Sequence, residues 1–231
     1  MSRARTSTHN IRQTAASENG SGCLSLYTLP LFAVVLIACL ITALSFFTPL
    51  PTYAAVSTQS TSISSTGLSP IFTREVQYWA NDIQRWANAS SLDPNLVAVV
   101  MQIESCGNPY AVSSAGATGL FQVMPYHFQS GENPYNPGTN ALRGLNYLTR
   151  SLETSRGNVR FALAGYNGGI GVISRGEWTW PAQTLRYVYY GAPIYEDARS
   201  GATSSPKLDE WYRKYGAGLC RQASQKLGLN P

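Results

Sequence analysis

Apolar and polar positions divide this chain into stretches of different character. Residues 31–47 are almost wholly apolar. With Leu29 and its neighbours the run approaches the ~20 residues that cross a bilayer. Residues 56–70 are rich in Ser and Thr and have no period, the pattern of a flexible tether. From Ile71 onward, apolar residues recur at helical spacing. Val76, Trp79, Ile83 and Trp86 predict a helix over 72–88. Asp93 and Pro94 read as the N-cap and first residue of a helix that runs through Glu104 and stops near Gly107. A loop with small residues follows, and a short helical turn fits Gly119 to Met124. After the polar loop at 131–140, Leu142, Leu145, Leu148 and Leu152 predict a helix over 141–154. Further helices are expected over 159–166, ended by Gly168-Gly169, and from Pro181 to Gly191. The tail from Pro206 reads as one or two amphipathic helices. No strand or repeat emerges, so the expected fold class is all-α.

The leader carries its own signals. No charged residue lies between Glu18 and Arg74, while Arg3, Arg5 and Arg12 precede the apolar run. Cationic flanks stay on the cytoplasmic side, so the bulk of the chain is expected outside. The run is either a signal peptide cut near Thr52-Tyr53-Ala54 or an uncleaved transmembrane anchor. Its length and the polar lead favour the anchor. Leu36-Ile37-Ala38-Cys39 loosely resembles a lipoprotein cleavage box, but the apolar run continues past Cys39. The expected division is a cytoplasmic polar lead at 1–23, the transmembrane or signal segment at 24–50, a linker at 51–70 and a folded domain at 71–231.

Charge and cysteines refine this. Beyond residue 70 the chain has fourteen Lys/Arg and eleven Asp/Glu. Such a mildly basic domain fits an anionic partner. The cations are scattered, which argues against nucleic acid. Cys23 and Cys39 belong to the leader. Cys106 and Cys220 lie in the exported part, where they are either bridged or two unpaired buried thiols. No CxxC or His-rich pattern suggests a metal, and neither a metal nor another cofactor is expected. His9 is in the lead, and His127 is a lone histidine read as structural.

One carboxyl stands out. Val97, Val100 and Met101 lie seven, four and three positions before Glu104, so all share one helix face. Glu104 ends an apolar stripe at a helix C-terminus. Desolvation and the helix dipole both favour its protonated form, which a general acid needs. The bland alternative is a solvated surface carboxylate.

Residues 95–126 resemble the signature of the soluble-lytic-transglycosylase domain, a relative of goose-type lysozyme. The matching positions are Glu104, Ser105, Asn108, Pro109, Ala111, Ser113, Gly116, Ala117, Gly119, Leu120, Gln122, Met124 and Pro125. A second family element appears as LAGYNGG, with Tyr166 and Asn167. A third resembles the NPGTNALRGLNYL helix. The resemblance covers roughly 71–195 and leaves the C-terminal tail unexplained. One departure is Gln183, where many relatives carry Glu.

The resemblance implies a lysozyme-like, mainly helical fold with a substrate groove and a C-terminal helical extension. It implies a lytic transglycosylase that cleaves the β-1,4 bond between N-acetylmuramic acid and N-acetylglucosamine in peptidoglycan. Glu104 would serve as acid and then base, the muramic 6-hydroxyl would attack C1, and a 1,6-anhydro end would result. Ser113 and Gln122 would hydrogen-bond the sugars. Tyr166 and Asn167 would orient the sugar at the scissile bond and contact Glu104. Met124 and Tyr187 would form apolar walls, while Trp178 and Trp180 read first as loop anchors. The partners implied are peptidoglycan strands and, through the N-terminal helix, a membrane. The enzyme would act as a monomer, extracytoplasmic and anchored or secreted in a bacterium. Two alternatives stay open. A goose-type hydrolase would need a second acid, for which Glu132 is the nearest candidate; a non-catalytic wall-binding or secretion-scaffold module would need none.

Overall fold

A computed structural model describes residues 67–229. The expected polar lead, the anchor or signal segment and all but the last four residues of the linker lie outside the described residues. Among the described residues no helix is long and apolar enough to cross a membrane. The α-helices are α1 (Arg74–Gln77), α2 (Ala80–Ser90), α3 (Pro94–Glu104), α4 (Pro137–Thr154), α5 (Val159–Gly168), α6 (Ala182–Arg199), α7 (Pro206–Trp211) and α8 (Ala217–Leu227). A π-helical turn, Tyr212–Gly216, joins α7 to α8. The only strand-like pairings among the described residues are two isolated bridges, Val112 with Thr118 and Thr118 with Val123.

α3 is the buried axis. Every residue from Leu96 to Gln102 is buried, as expected of a helix apolar on all sides. Its start is fixed twice. Asp93 accepts from the Asn95 amide at 2.8 Å, and the Tyr195 hydroxyl donates to the other Asp93 oxygen at 2.9 Å. Along its length α3 packs on α2 and α6, while α5 is sandwiched between α4 and α6. On α6, Thr184, Tyr187, Val188, Gly191, Ile194, Tyr195 and Ala198 form the buried face at helical spacing. Gly191 lets that face come close to Leu163 of α5 and to Val99 and Ile103 of α3.

The end of α3 aims the residues that follow. Ser105 closes the helix, Cys106 has φ 51° and Gly107 has φ 81°. A Cβ at Gly107 would meet the Glu75 carbonyl oxygen at 2.7 Å, so only glycine fits there. Cys106 is bonded to Cys220, which ties α8 to the foot of α3 across 114 residues of sequence. Buried Gln102 completes the joint: its oxygen accepts from the Thr73 amide at 3.1 Å and its nitrogen donates to Cys106 Sγ at 3.1 Å.

Several boundaries differ from the expected ones. The helix expected over 72–88 is broken at Trp79 (φ −93°, ψ 9°). There the indole turns inward, donates to the Gly107 carbonyl at 2.9 Å and stacks on Trp86. α4 begins four residues earlier than expected, because Asn136 caps the Thr139 amide and Pro137 takes the first helical position. α6 runs past Gly191 and carries Pro193 inside. The missing amide costs one backbone bond, and burial of Ile194, Tyr195 and Ala198 beyond it outweighs that loss.

Candidate active site

Glu104 is the last residue of α3. Burial raises its carboxyl pKa to about 8, and the Tyr187 phenol, as hydrogen-bond donor to the ionised form, pulls weakly the other way. Tyr187 lies on the buried face of α6, and its hydroxyl has no hydrogen bond of full geometry among the described residues. The contact with Glu104 is therefore long or poorly aligned.

Two cavities meet at this carboxyl. The first, about 290 Å³, is bounded by Ser113, Gln122, Met124, Tyr147, Tyr166 and Asn167 among others. The second, about 210 Å³, is bounded by Tyr187, Arg186, Tyr190, Trp211 and Tyr215. Glu104, Asn167 and Gln183 line both. Among the described residues, Glu104 is the only acidic one that lines either cavity. The groove thus passes over a single protonated carboxyl.

The loop before α4 forms one wall of the first cavity. Ser105 Oγ donates to the Leu120 carbonyl at 2.7 Å and holds the loop beside the end of α3. Buried Asn140 organises the turn: its oxygen accepts from the Phe121 amide at 2.9 Å, and its nitrogen donates to the carbonyls of Thr118 (2.8 Å) and Pro134 (3.0 Å). Gly119 has φ 77° and packs directly on this side chain. The turn leaves Gln122 at φ 47°, an uncommon conformation for a residue other than glycine and one often found at functional sites. The Gln122 nitrogen donates to the carbonyls of Ala111 (3.2 Å) and Gly119 (3.1 Å), while its side-chain oxygen has no hydrogen-bond partner among the described residues. That oxygen is free to accept from a ligand. Ser113 Oγ accepts from the Ala117 amide at 3.0 Å and retains its proton for donation.

Helices supply the other walls. The Tyr166 hydroxyl donates to the Phe121 carbonyl at 2.7 Å, and burial followed by the nearby Glu104 charge holds its pKa well above the usual value. It is therefore a neutral phenol. Asn167 Oδ1 accepts from the Thr184 hydroxyl at 3.1 Å, which leaves its amide nitrogen for the groove. Gly144 allows α4 to approach Phe121 and the Tyr166 hydroxyl; a Cβ there would meet Phe121 Cβ at 2.6 Å.

The seven site residues singled out from sequence all border the two cavities. Sequence reasoning missed Arg143, Tyr147, Gln183 as a lining group, Arg186, Trp211 and Tyr215. It also assigned His127 a structural place, whereas that ring borders the first cavity between Tyr126 and Tyr147. Burial, then the Arg150 charge, lowers the His127 pKa and keeps it neutral. Of the two tryptophans, Trp180 is a loop anchor whose indole donates to the Val172 carbonyl at 3.0 Å, while Trp178 is 88% exposed and away from the groove. Glu132 lines neither cavity. It holds Arg143 through two hydrogen bonds, one of 2.9 Å from Nε, and that pairing keeps its pKa low.

Comparisons with known proteins give relatives over part of the chain. The transglycosylase from Enterobacteria phage PRD1 is 38% identical over 111 residues, covering 47% of this chain and 40% of that one. Membrane-bound lytic murein transglycosylase C of Histophilus somni is 33% identical over 113 residues, covering 40% of this chain and 31% of that one. The chain thus spans well under half the length of these relatives. A solved structure of an inactive mutant of lytic transglycosylase Slt from Pseudomonas aeruginosa matches 54% of this chain and 24% of its own, at a TM-score of 0.43 and 23% identity. The family model for the transglycosylase SLT domain matches residues 81–179, somewhat under half of the chain.

Proposed function

We propose that this protein is a peptidoglycan lytic transglycosylase with a lysozyme-like fold, acting outside the cytoplasm. The observation that carries the reading is the lone carboxyl at the junction of two cavities, with a pKa raised to about 8. At neutral pH such a group can protonate the oxygen between N-acetylmuramic acid and N-acetylglucosamine. The resulting carboxylate then takes the proton of the muramic 6-hydroxyl as that oxygen closes onto C1. One bond breaks, one forms, and the proton taken equals the proton given. The product is a 1,6-anhydro sugar, and no water enters. The intramolecular attack avoids capturing a second molecule.

Hydrolysis would need a second carboxylate to activate water. Glu132 is the nearest acid after Glu104 in sequence, and it is committed to Arg143, while Asp93, before Glu104, caps the far end of α3. This supports transglycosylation over the goose-lysozyme alternative. The disulfide fits an oxidising compartment. The apolar run at 31–47 would keep the enzyme at the membrane, and the extracytoplasmic domain would act as a monomer.

The test is digestion of purified sacculi by the full chain, with mass spectrometry of the products. Ends lighter by one water than reducing muramic ends are expected. Reducing ends would point to the hydrolase, and binding without cleavage to the wall-binding module.

A further inference from the structure

We propose that the C-terminal segment completes the groove, and that the second cavity takes a peptide-bearing sugar whose stem carboxylate pairs with Arg186. The inference rests on the glycan-cleaving reading above. It begins with where the lining comes from. The family match ends at residue 179, yet every residue of the second cavity beyond Asn167 lies after it, on α6, α7 and the π-helical turn. Trp211 is almost fully buried, whereas Tyr215 is 51% exposed. Gly216 lets the turn lie against the Trp211 indole. Trp211 is thus a support and Tyr215 an open aromatic surface of the kind on which sugar rings pack.

Arg186 is the cation of this cavity. Its guanidinium lies 5.3 Å above the Tyr215 ring, and it forms no ion pair among the described residues. The nearby acid on α7, Glu210, is spent on Lys207 (2.9 Å) and Lys214 (2.8 Å) and accepts a hydrogen bond from Tyr190. In the first cavity, by contrast, Arg143 is neutralised by Glu132. Arg186 therefore keeps its charge and its donors for a ligand. The amino sugars of the glycan are N-acetylated and neutral, while carboxylates sit on the peptides attached to muramic acid. A planar guanidinium beside an aromatic surface suits a carboxylate carried next to a sugar ring.

The segment is held in register with the chemistry. Cys106 follows Glu104 by two residues, and its partner Cys220 follows Tyr215 by five. The same bridge that ties α8 to α3 fixes Tyr215 relative to the reacting carboxyl.

The experiment compares wild type, Arg186→Gln and Tyr215→Ala on two substrates: glycan strands bearing stem peptides, and strands of matched length stripped of peptide by an amidase. Arg186→Gln should raise KM about tenfold on peptide-bearing strands with kcat little changed, the size of one lost charge-assisted contact. On stripped strands its effect on KM should be several-fold smaller, and Arg186→Lys should recover part of the loss on peptide-bearing strands. Tyr215→Ala should raise KM on both. Equal effects of Arg186→Gln on the two substrates, or no effect on either, would overturn the proposal. If wild type releases anhydro ends from neither, the glycan-cleaving reading itself fails and this one falls with it.

Discussion

The Tyr187 phenol faces the Glu104 carboxyl, and neither group has another protein hydrogen-bonding partner among the described residues. Tyr187 is buried and Glu104 half-buried; Glu104 raises the cost of ionising Tyr187, whereas Tyr187 tempers the cost of ionising Glu104. Glu104 sets the pKa of Tyr187 well above the usual phenol value, after burial itself. Tyr187 stabilises the Glu104 anion, which is the form that must exist midway through the proposed reaction.

That relationship predicts a pH profile. If Glu104 acts first as an acid, kcat/KM should fall through a midpoint near 8 as pH rises, about tenfold per unit beyond it. Removing the phenol donor in Tyr187→Phe should move this midpoint upward, because the anion loses its only support. The same variant should lower kcat about tenfold, since the carboxylate is a poorer base without its orienting partner. A profile from pH 5 to 10 for both proteins checks this. A midpoint that stays fixed or moves down removes Tyr187 from the site.

Glu104→Gln separates function from stability. Cleavage of sacculi should drop about a thousandfold or more, while wall binding persists. Stability should change in the opposite direction. The folded-state pKa of about 8 lies above the ordinary carboxyl value of 4.5. Between those values the unfolded chain releases a proton that the folded chain keeps, so wild-type stability falls as pH rises across that window. Below about 4.5 the carboxyl is neutral in both states and costs nothing. The glutamine variant lacks this penalty and should be the more stable protein at pH 8, by on the order of 3–5 kcal/mol. Urea unfolding at pH 4 and pH 8 tests it: a gain that does not grow with pH contradicts the buried acid.

Much of this was legible in the sequence, and the exceptions have physical causes. Glu104 could be read because a helix has a fixed period, so its place on the Val97, Val100 and Met101 stripe follows from spacing alone. Asp93-Pro94 marked the start of α3 for the same local reason. Arg186, Trp211 and Tyr215 could not be read this way. They reach Glu104 only because α6 packs on α3 and the disulfide draws the tail back. Glu132 shows the reverse case: sequence offers it as the next acid after Glu104, but it pairs with Arg143 and lines neither cavity. The break at Trp79 was hidden because the residues on both sides keep the apolar spacing of one helix.

Asn140 should matter for stability more than its position in a helix suggests. Its side chain makes three hydrogen bonds to backbone groups of the loop that carries Gln122. In Asn140→Ala the Phe121 amide and the carbonyls of Thr118 and Pro134 lose these partners. The expected loss is about 2–4 kcal/mol in urea unfolding, with activity falling as Gln122 is released from φ 47°. Leu142→Ala on the exposed face of the same helix should cost under about 1 kcal/mol. Equal losses in the two variants would show that the loop is held by something other than this amide.

The last prediction concerns reduction. The Cys106–Cys220 bridge closes a loop of 114 residues, for which chain entropy alone gives about 3–5 kcal/mol. The tail has other anchors near the bridge: Ser224 hydrogen-bonds buried Glu75, and Arg74 donates to Ser224 at 3.2 Å. These anchors and the burial of Leu208, Trp211 and Ala223 should keep the reduced protein folded at room temperature but easier to unfold. Under reducing conditions α7, the π-helical turn and α8 should become the first part cleaved by a nonspecific protease. KM should rise, because Tyr215 loses its fixed distance from Glu104, while the pH midpoint near 8 should hold, since Glu104 and Tyr187 lie on α3 and α6. Loss of activity together with a shifted midpoint would mean that the bridge shapes the carboxyl's surroundings directly. Unchanged KM and unchanged proteolysis would mean that noncovalent packing alone seats the tail.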